Sequence, residues 1–322
     1  MKAAIGGYFE FELPRARTFM YQGALKYQSA RAAFLALLRV AKPKRVWMPY
    51  YICDAMVAPV RAFGAEICFY SLDQHLGIAE DITLDSADIL LYVNYFGVCS
   101  KQVEKVLAQF NPLQIVLDFS QAFFVAPKNC LATIYSPRKF FGLPDGGLLF
   151  TQMAIDLPKV IDESSENRIS HLFIRLGGAA ELGYLDYKLA EETLNVFEPK
   201  QMSKLTERIF GAIDFVAART QRNKNFTILH ENLSQRNCLK VDLDEVDGAM
   251  CYPFFSNNYL LKSLLLTSRI FIPTYWPDIL TKPDIPNFES ELVNKIHPLP
   301  CDQRYVEEDM DKICGLLHGL NE

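Results

Sequence analysis

From about residue 45 to 151 the chain alternates short β-branched or aromatic runs with stretches whose apolar positions recur every three or four residues. This is the pattern of parallel strands joined by helices. The runs predict strands at Val46 to Pro49, Glu66 to Ser71, Ile89 to Asn94, Gln114 to Phe119, Cys130 to Ser136 and Gly147 to Thr151. Between them, Asp54 stands as a helix N-cap before Met56, Val57, Val60 and Phe63, and Ser100 before Val103, Val106, Leu107 and Phe110. Upstream, Ser29-Ala30-Arg31 opens a helix with Phe34, Leu37 and Leu38 on its apolar face. The class is α/β, a large and mainly parallel sheet covered by helices.

Residues 155 to 200 keep no steady period and carry the polar run Asp162 to Asn167 and the glycines Gly177, Gly178 and Gly183, which predicts a loop-rich excursion. A helical pattern through Leu205, Ile209, Ile213, Val216 and Leu229 spans Ser203 to about Leu233. We therefore expect a large domain at 1–225, with an N-terminal extension, and a small α+β domain at 226–322. The latter closes with a helix bearing Val306, Met310, Ile313, Leu316 and Leu317.

Composition narrows the functions. The net charge of −5, with scattered Lys and Arg, speaks against nucleic-acid binding. No apolar run is long enough to cross a bilayer, and Met1 to Glu12 does not read as a signal peptide. Eight cysteines without a C-x-x-C pair fit a reducing cytoplasm, and five histidines show no metal-ligand spacing. A small-molecule substrate is expected.

The chemistry is concentrated in one order of residues: Asp118-Phe119-Ser120-Gln121, then Lys139, then Asp145-Gly146-Gly147. An acid, an amine and a tight turn, each beside a strand, are what a pyridoxal 5′-phosphate (PLP) enzyme needs. The acid pairs with the pyridinium nitrogen and the lysine holds the aldehyde as a Schiff base. A dinucleotide-binding reading is weaker, because no G-x-G-x-x-G follows the first strand.

In this order the chain resembles the DegT/DnrJ/StrS family of PLP-dependent sugar aminotransferases, of the aspartate aminotransferase fold (fold type I). Ser29-Ala30-Arg31 resembles the family's phosphate-holding helix start, where backbone N–H groups favour an anion. Val46 to Tyr51, Gly64-Ala65 and Asn94 to Gly97 resemble further family segments, and Asp118 and Gln121 its acid and its residue beside the cofactor. Lys139, five residues, Asp145 and Gly146-Gly147 match the spacing around the Schiff-base lysine.

The chain departs from the pattern at Arg31, where threonine is usual, at Ile134, where serine is usual, and at Cys53, where an aromatic ring is common. Ser136 and Tyr51 are the expected substitutes for the last two. The resemblance implies catalytic roles for Lys139 and Asp118 and cofactor contacts from Ser29, Ala30, Arg31, Tyr51, Asp118, Gln121, Ser136 and Lys139. It also implies an amino acid donor, a keto acceptor such as a nucleotide-linked keto sugar for surface polysaccharide, and a homodimer with composite sites. The competing readings are a lyase or dehydratase of the same fold, against which Lys139 counts, and a non-catalytic relative serving as a binding or regulatory protein.

Overall fold

The computed structural model describes residues 5–14 and 20–319. Part of the N-terminal segment read for a signal, Met1 to Ala4, lies outside them. A three-residue strand, β1 (Leu25–Tyr27), leads into α1 (Ala30–Ala41), followed by β2 (Arg45–Pro49), α2 (Asp54–Phe63), β3 (Glu66–Tyr70) and β4 (Asp88–Val93). Then come α3 (Ser100–Gln109), β5 (Ile115–Asp118), β6 (Ala132–Tyr135) and β7 (Gly147–Thr151). These strands form one seven-stranded sheet in the order β1-β7-β6-β5-β4-β2-β3. The five from β2 to β6 run parallel, and β7 is antiparallel to both β6 and β1.

Every residue of β4 and β5 is buried, as strands covered on both faces must be. The parallel strands end together at Pro49, Tyr70, Val93, Asp118 and Tyr135, and this carboxyl edge of an open α/β sheet is where ligands bind.

The excursion is helical where loops were expected, with α4 (Ser170–Gly177) and α5 (Tyr184–Thr193), and the segment after α5 is tied to α1. Arg31 donates to Asn195 Oδ1 at 2.6 Å, and Arg39 is bidentate on Glu198 at 2.6 and 2.7 Å. The long helical pattern after Ser203 is two helices, α6 (Lys204–Gly211) and α7 (Phe215–Leu233). Asp214 breaks it, because its carboxylate caps the Ala217 amide at 3.0 Å and starts a new helix. The expected boundary at 225/226 falls inside α7.

Beyond α7 lie β8 (Tyr252–Phe255), α8 (Leu261–Thr267), α9 (Asn287–Lys295), β9 (Ile296–Leu299) and α10 (Glu307–His318), with β8 and β9 forming a separate antiparallel pair. Among the described residues no helix is long and apolar enough to cross a membrane.

Candidate active site

Asp118 ends β5 and is buried. Its Oδ1 accepts the Ser120 amide at 2.8 Å, and its backbone carbonyl accepts from Asn94 at 3.1 Å. Gln121 is buried as well: its Oε1 accepts from the Phe96 amide at 2.6 Å, while its Nε2 has no partner. Phe96 and Gly97 are both left-handed, with φ of 58° and 81°. A Cβ on Gly97 would stand 2.8 Å from the Gln121 carbonyl, so glycine is required where this turn meets Gln121.

In register, Asp118 pairs with Ile134 on β6, so Ser136 and the turn Pro137–Lys139 emerge at the same sheet edge. Ser136 is buried, and its hydroxyl does not cap the turn that follows it. Lys139 is exposed and lines a cavity of about 930 Å³. Six lysines and arginines (Arg138, Lys139, Arg175, Arg208, Arg222, Arg304) face this cavity against two acids, Glu10 and Asp302. In a chain of net charge −5 the cavity is thus locally electropositive and draws anions. Asp118, Gln121, Ser136 and Ser29 do not line it.

Ser29 caps α1, its Oγ accepting the Ala32 amide at 3.2 Å. The glycine pair explains the placing of this helix start. Gly146 bridges to Ser29, its amide donating to the Gln28 carbonyl at 2.7 Å, and a Cβ on Gly147 would lie 2.2 Å from the Ser29 carbonyl carbon and 2.4 Å from the Ala30 nitrogen. A Cβ on Gly146, at φ 130°, would touch Pro137 at 3.3 Å. The two glycines therefore press the helix start, the lysine turn and β7 into one contact.

Asp145, fully buried, anchors the pair through the Ser165 hydroxyl and the Ser203 amide. Burial raises its carboxyl's proton affinity, and the hydroxyls of Ser165, Ser203 and Thr206 oppose the rise. Beside the helix start, burial lowers the proton affinity of Arg31, Cys53, Glu191 and Asp54 push it back up, and the nearby Arg138 lowers it further. Arg138 pairs with Glu191 of α5, yet its Nε is buried without a partner.

Tyr51 is fully buried. Its carbonyl accepts from Tyr95 at 2.7 Å and its ring lies 5.6 Å from Tyr95 and 4.6 Å, edge to face, from Trp276. Burial raises its phenol's pKa, and the hydroxyl has no partner. Trp276 and Tyr275, from beyond α8, reach the edge of the large sheet at Tyr51, Tyr95 and Phe96.

These residues fit PLP. One Asp118 oxygen is engaged by the Ser120 amide, leaving the other without a protein donor among the described residues. Buried donors at Gln121 Nε2, Arg138 Nε and the Tyr51 hydroxyl also lack partners. Sequence reasoning did not find Arg138, whose signal was only its place next to Lys139, nor Arg222 and Gln303, which line the same cavity and which no local pattern marks.

No family model matches the sequence, and no curated protein matches it. Solved structures do match the fold. A DegT DnrJ EryC1 StrS aminotransferase from Brucella abortus superposes with a TM-score of 0.61 at 17% identity, over 92% of this chain and 85% of that one. PseC of Helicobacter pylori, an aminotransferase involved in the biosynthesis of pseudoaminic acid, gives 0.61 at 14% identity, over 92% and 85%. DesI, solved with its TDP-sugar product, gives 0.63 at 17% identity, over 91% and 79%. The mixed seven-stranded sheet with its flanking helices is therefore the fold of the DegT/DnrJ/EryC1/StrS aminotransferases.

Proposed function

We propose that the chain is a PLP-dependent aminotransferase that moves an amino group from an amino acid donor to a keto sugar. The observation that carries this is Lys139, exposed beside an electropositive cavity, in the turn that follows the strand next to the one that ends in buried Asp118. Ser29, Ala30 and Arg31 would hold the cofactor phosphate at the start of α1, with Ser136 beside it, and Asp118 would meet the pyridine nitrogen, with Gln121 and Tyr51 adjoining. When bound, PLP supplies an electron sink conjugated to its aldehyde carbon. Lys139 Nζ would hold that aldehyde. The same nitrogen would serve as the base for the proton on the donor's Cα and as the acid that returns a proton to the acceptor carbon. Tyr51, Tyr95 and Trp276, packed against one another, would present an apolar wall to the cofactor.

The excess of cationic side chains in the cavity supports an acceptor bearing several negative charges, a nucleotide-linked keto sugar, and the names of PseC and DesI are in keeping with sugar amination. Surface polysaccharide is the proposed destination, and a cytoplasmic setting goes with eight free thiols. The working form is proposed to be a homodimer that completes the cavity.

The test is an absorbance spectrum with added PLP before and after borohydride, on wild type and Lys139→Ala. Cofactor fixed covalently in wild type alone is the expected result. A spectrum indifferent to Lys139 overturns the assignment.

A further inference from the structure

Arg222, on α7, is 2% exposed, yet no carboxylate lies within hydrogen-bond reach of it among the described residues. The acid beside it, Asp302, gives its two oxygens to Arg304 at 2.7 and 2.9 Å. The guanidinium donates instead to the carbonyls of Ala249 at 2.9 Å, Met250 at 3.3 Å and Phe140 at 3.2 Å, and to Gln303 Oε1 at 2.7 Å. It also lies over the Phe140 ring, 4.6 Å from its centroid. Gln303 Nε2 donates to the same Phe140 carbonyl at 2.9 Å, so this one acceptor takes two donors.

A buried cation without a counter-ion is a poor way to fill space, since an apolar side chain of similar volume needs no desolvation. What the rigid guanidinium fork provides is a fixed spacing between the backbones it joins. One is the residue directly after Lys139. The other is the Gly248–Met250 segment, which backs the Gln121 strip: the Met250 amide donates to the Phe96 carbonyl at 2.9 Å, and a Cβ on Gly97 would lie 3.2 Å from Ala249 Cα and 2.8 Å from the Gln121 carbonyl. Arg222 thus ties the lysine turn to the strip carrying Gln121. Its own proton affinity is lowered by burial, with Cys301 and Asp302 opposing the shift.

We infer that Arg222 and Gln303 are positioning residues: by gripping the Phe140 carbonyl from two sides they set where Lys139 stands relative to Gln121. The inference rests on the proposed function. A displacement of about an ångström at a reacting group is enough to lower a rate by one to two orders of magnitude.

Gln303→Glu separates positioning from structural support. It leaves Arg222 an acceptor and adds an ion pair, so the fold is retained, but it removes the amide donor and sets a carboxylate oxygen against the Phe140 carbonyl. Gln303→Met, which removes the amide without adding a charge, acts in the same direction. In the cofactor-free chain, hydrogen exchange at the amides of Lys139, Phe140 and Phe141, which bond to the Ser136 and Pro137 carbonyls, rises about tenfold in both variants while the melting temperature holds within a few degrees. With PLP added, the rate at which borohydride-fixable cofactor appears on Lys139, read by peptide mass spectrometry, falls about tenfold.

Unchanged exchange overturns the clamp. Faster exchange with an unchanged linkage rate overturns the positioning role. If wild type itself carries no cofactor on Lys139, the proposed function fails and takes the inference with it, whereas a loss confined to the variants is the expected result.

Discussion

Asp118 gives one oxygen to a backbone amide and keeps the other without a protein donor, so its shape and its charge are separable. Asp118→Asn preserves the acceptor for the Ser120 amide and is expected to keep the fold and bind PLP, while amino transfer drops by on the order of 10²–10⁴ in single-turnover assays. Away from the site, His297 on β9 is 4% exposed, its Nδ1 has no partner, and burial with help from Lys262 lowers its pKa from 6.5 to about 4. The folded chain therefore refuses a proton that the unfolded chain accepts. Stability from this group is whole above pH 6.5 and declines as the pH falls towards 4, by at most about 3 kcal/mol. Urea midpoints between pH 7 and 4 check this, and in His297→Leu that part of the slope disappears. Of the candidate-site residues, Asp118, Gln121 and Lys139 were legible because their spacing within some thirty residues marks them. Arg222 and Gln303 were not. They act on a backbone carbonyl far away in sequence, and a carbonyl leaves no trace in side-chain identity.

At the scale of elements, the contact between β7 and the start of α1 shapes the proposed phosphate cup. Gly147→Ala sets a methyl against the Ser29 and Ala30 backbone, which cannot swing aside as a side chain would. Overpacking of this kind costs about 1–3 kcal/mol, and PLP affinity should fall with it in a fluorescence titration. Ser29→Ala is the comparison: it loses a helix cap worth about 1 kcal/mol but leaves β7 in place, so a smaller loss of affinity is expected. Equal affinities in the two variants would separate the cup from the glycine contact. Six strands of the main sheet were readable from alternation and β-branching, and three helices from their apolar faces, though Asp54 and Ser100, read as caps, are the first helical residues and Cys53 and Cys99 hold the cap positions. β1 escaped because three residues make no period, and the break at Asp214 because the apolar spacing continues through it while one carboxylate restarts the helix.

For the whole molecule, α5 and its flanks leave Leu182, Leu185, Leu189 and Val196 more than half exposed near the cavity mouth. If the proposed dimer covers this face, Leu185→Asp with Leu189→Asp, one turn apart on the helix, turns it into a monomer in sedimentation velocity at micromolar concentration. An unchanged sedimentation coefficient places the dimer contact elsewhere. The sequence read this stretch as loops because its leucines face outward and its glycines interrupt the helical pattern, so neither a core stripe nor a clean period survives. A last consequence concerns the order of assembly. β1 and β7 close the sheet between residues about 120 apart in sequence, and the loop entropy of that closure must be met before the pairing returns anything. The helix start that would receive the phosphate therefore exists as a helix early but becomes a cup only when β7 arrives. Refolding should regain helical signal well before it regains cofactor, leaving an interval in which the chain is ordered and blind to its ligand.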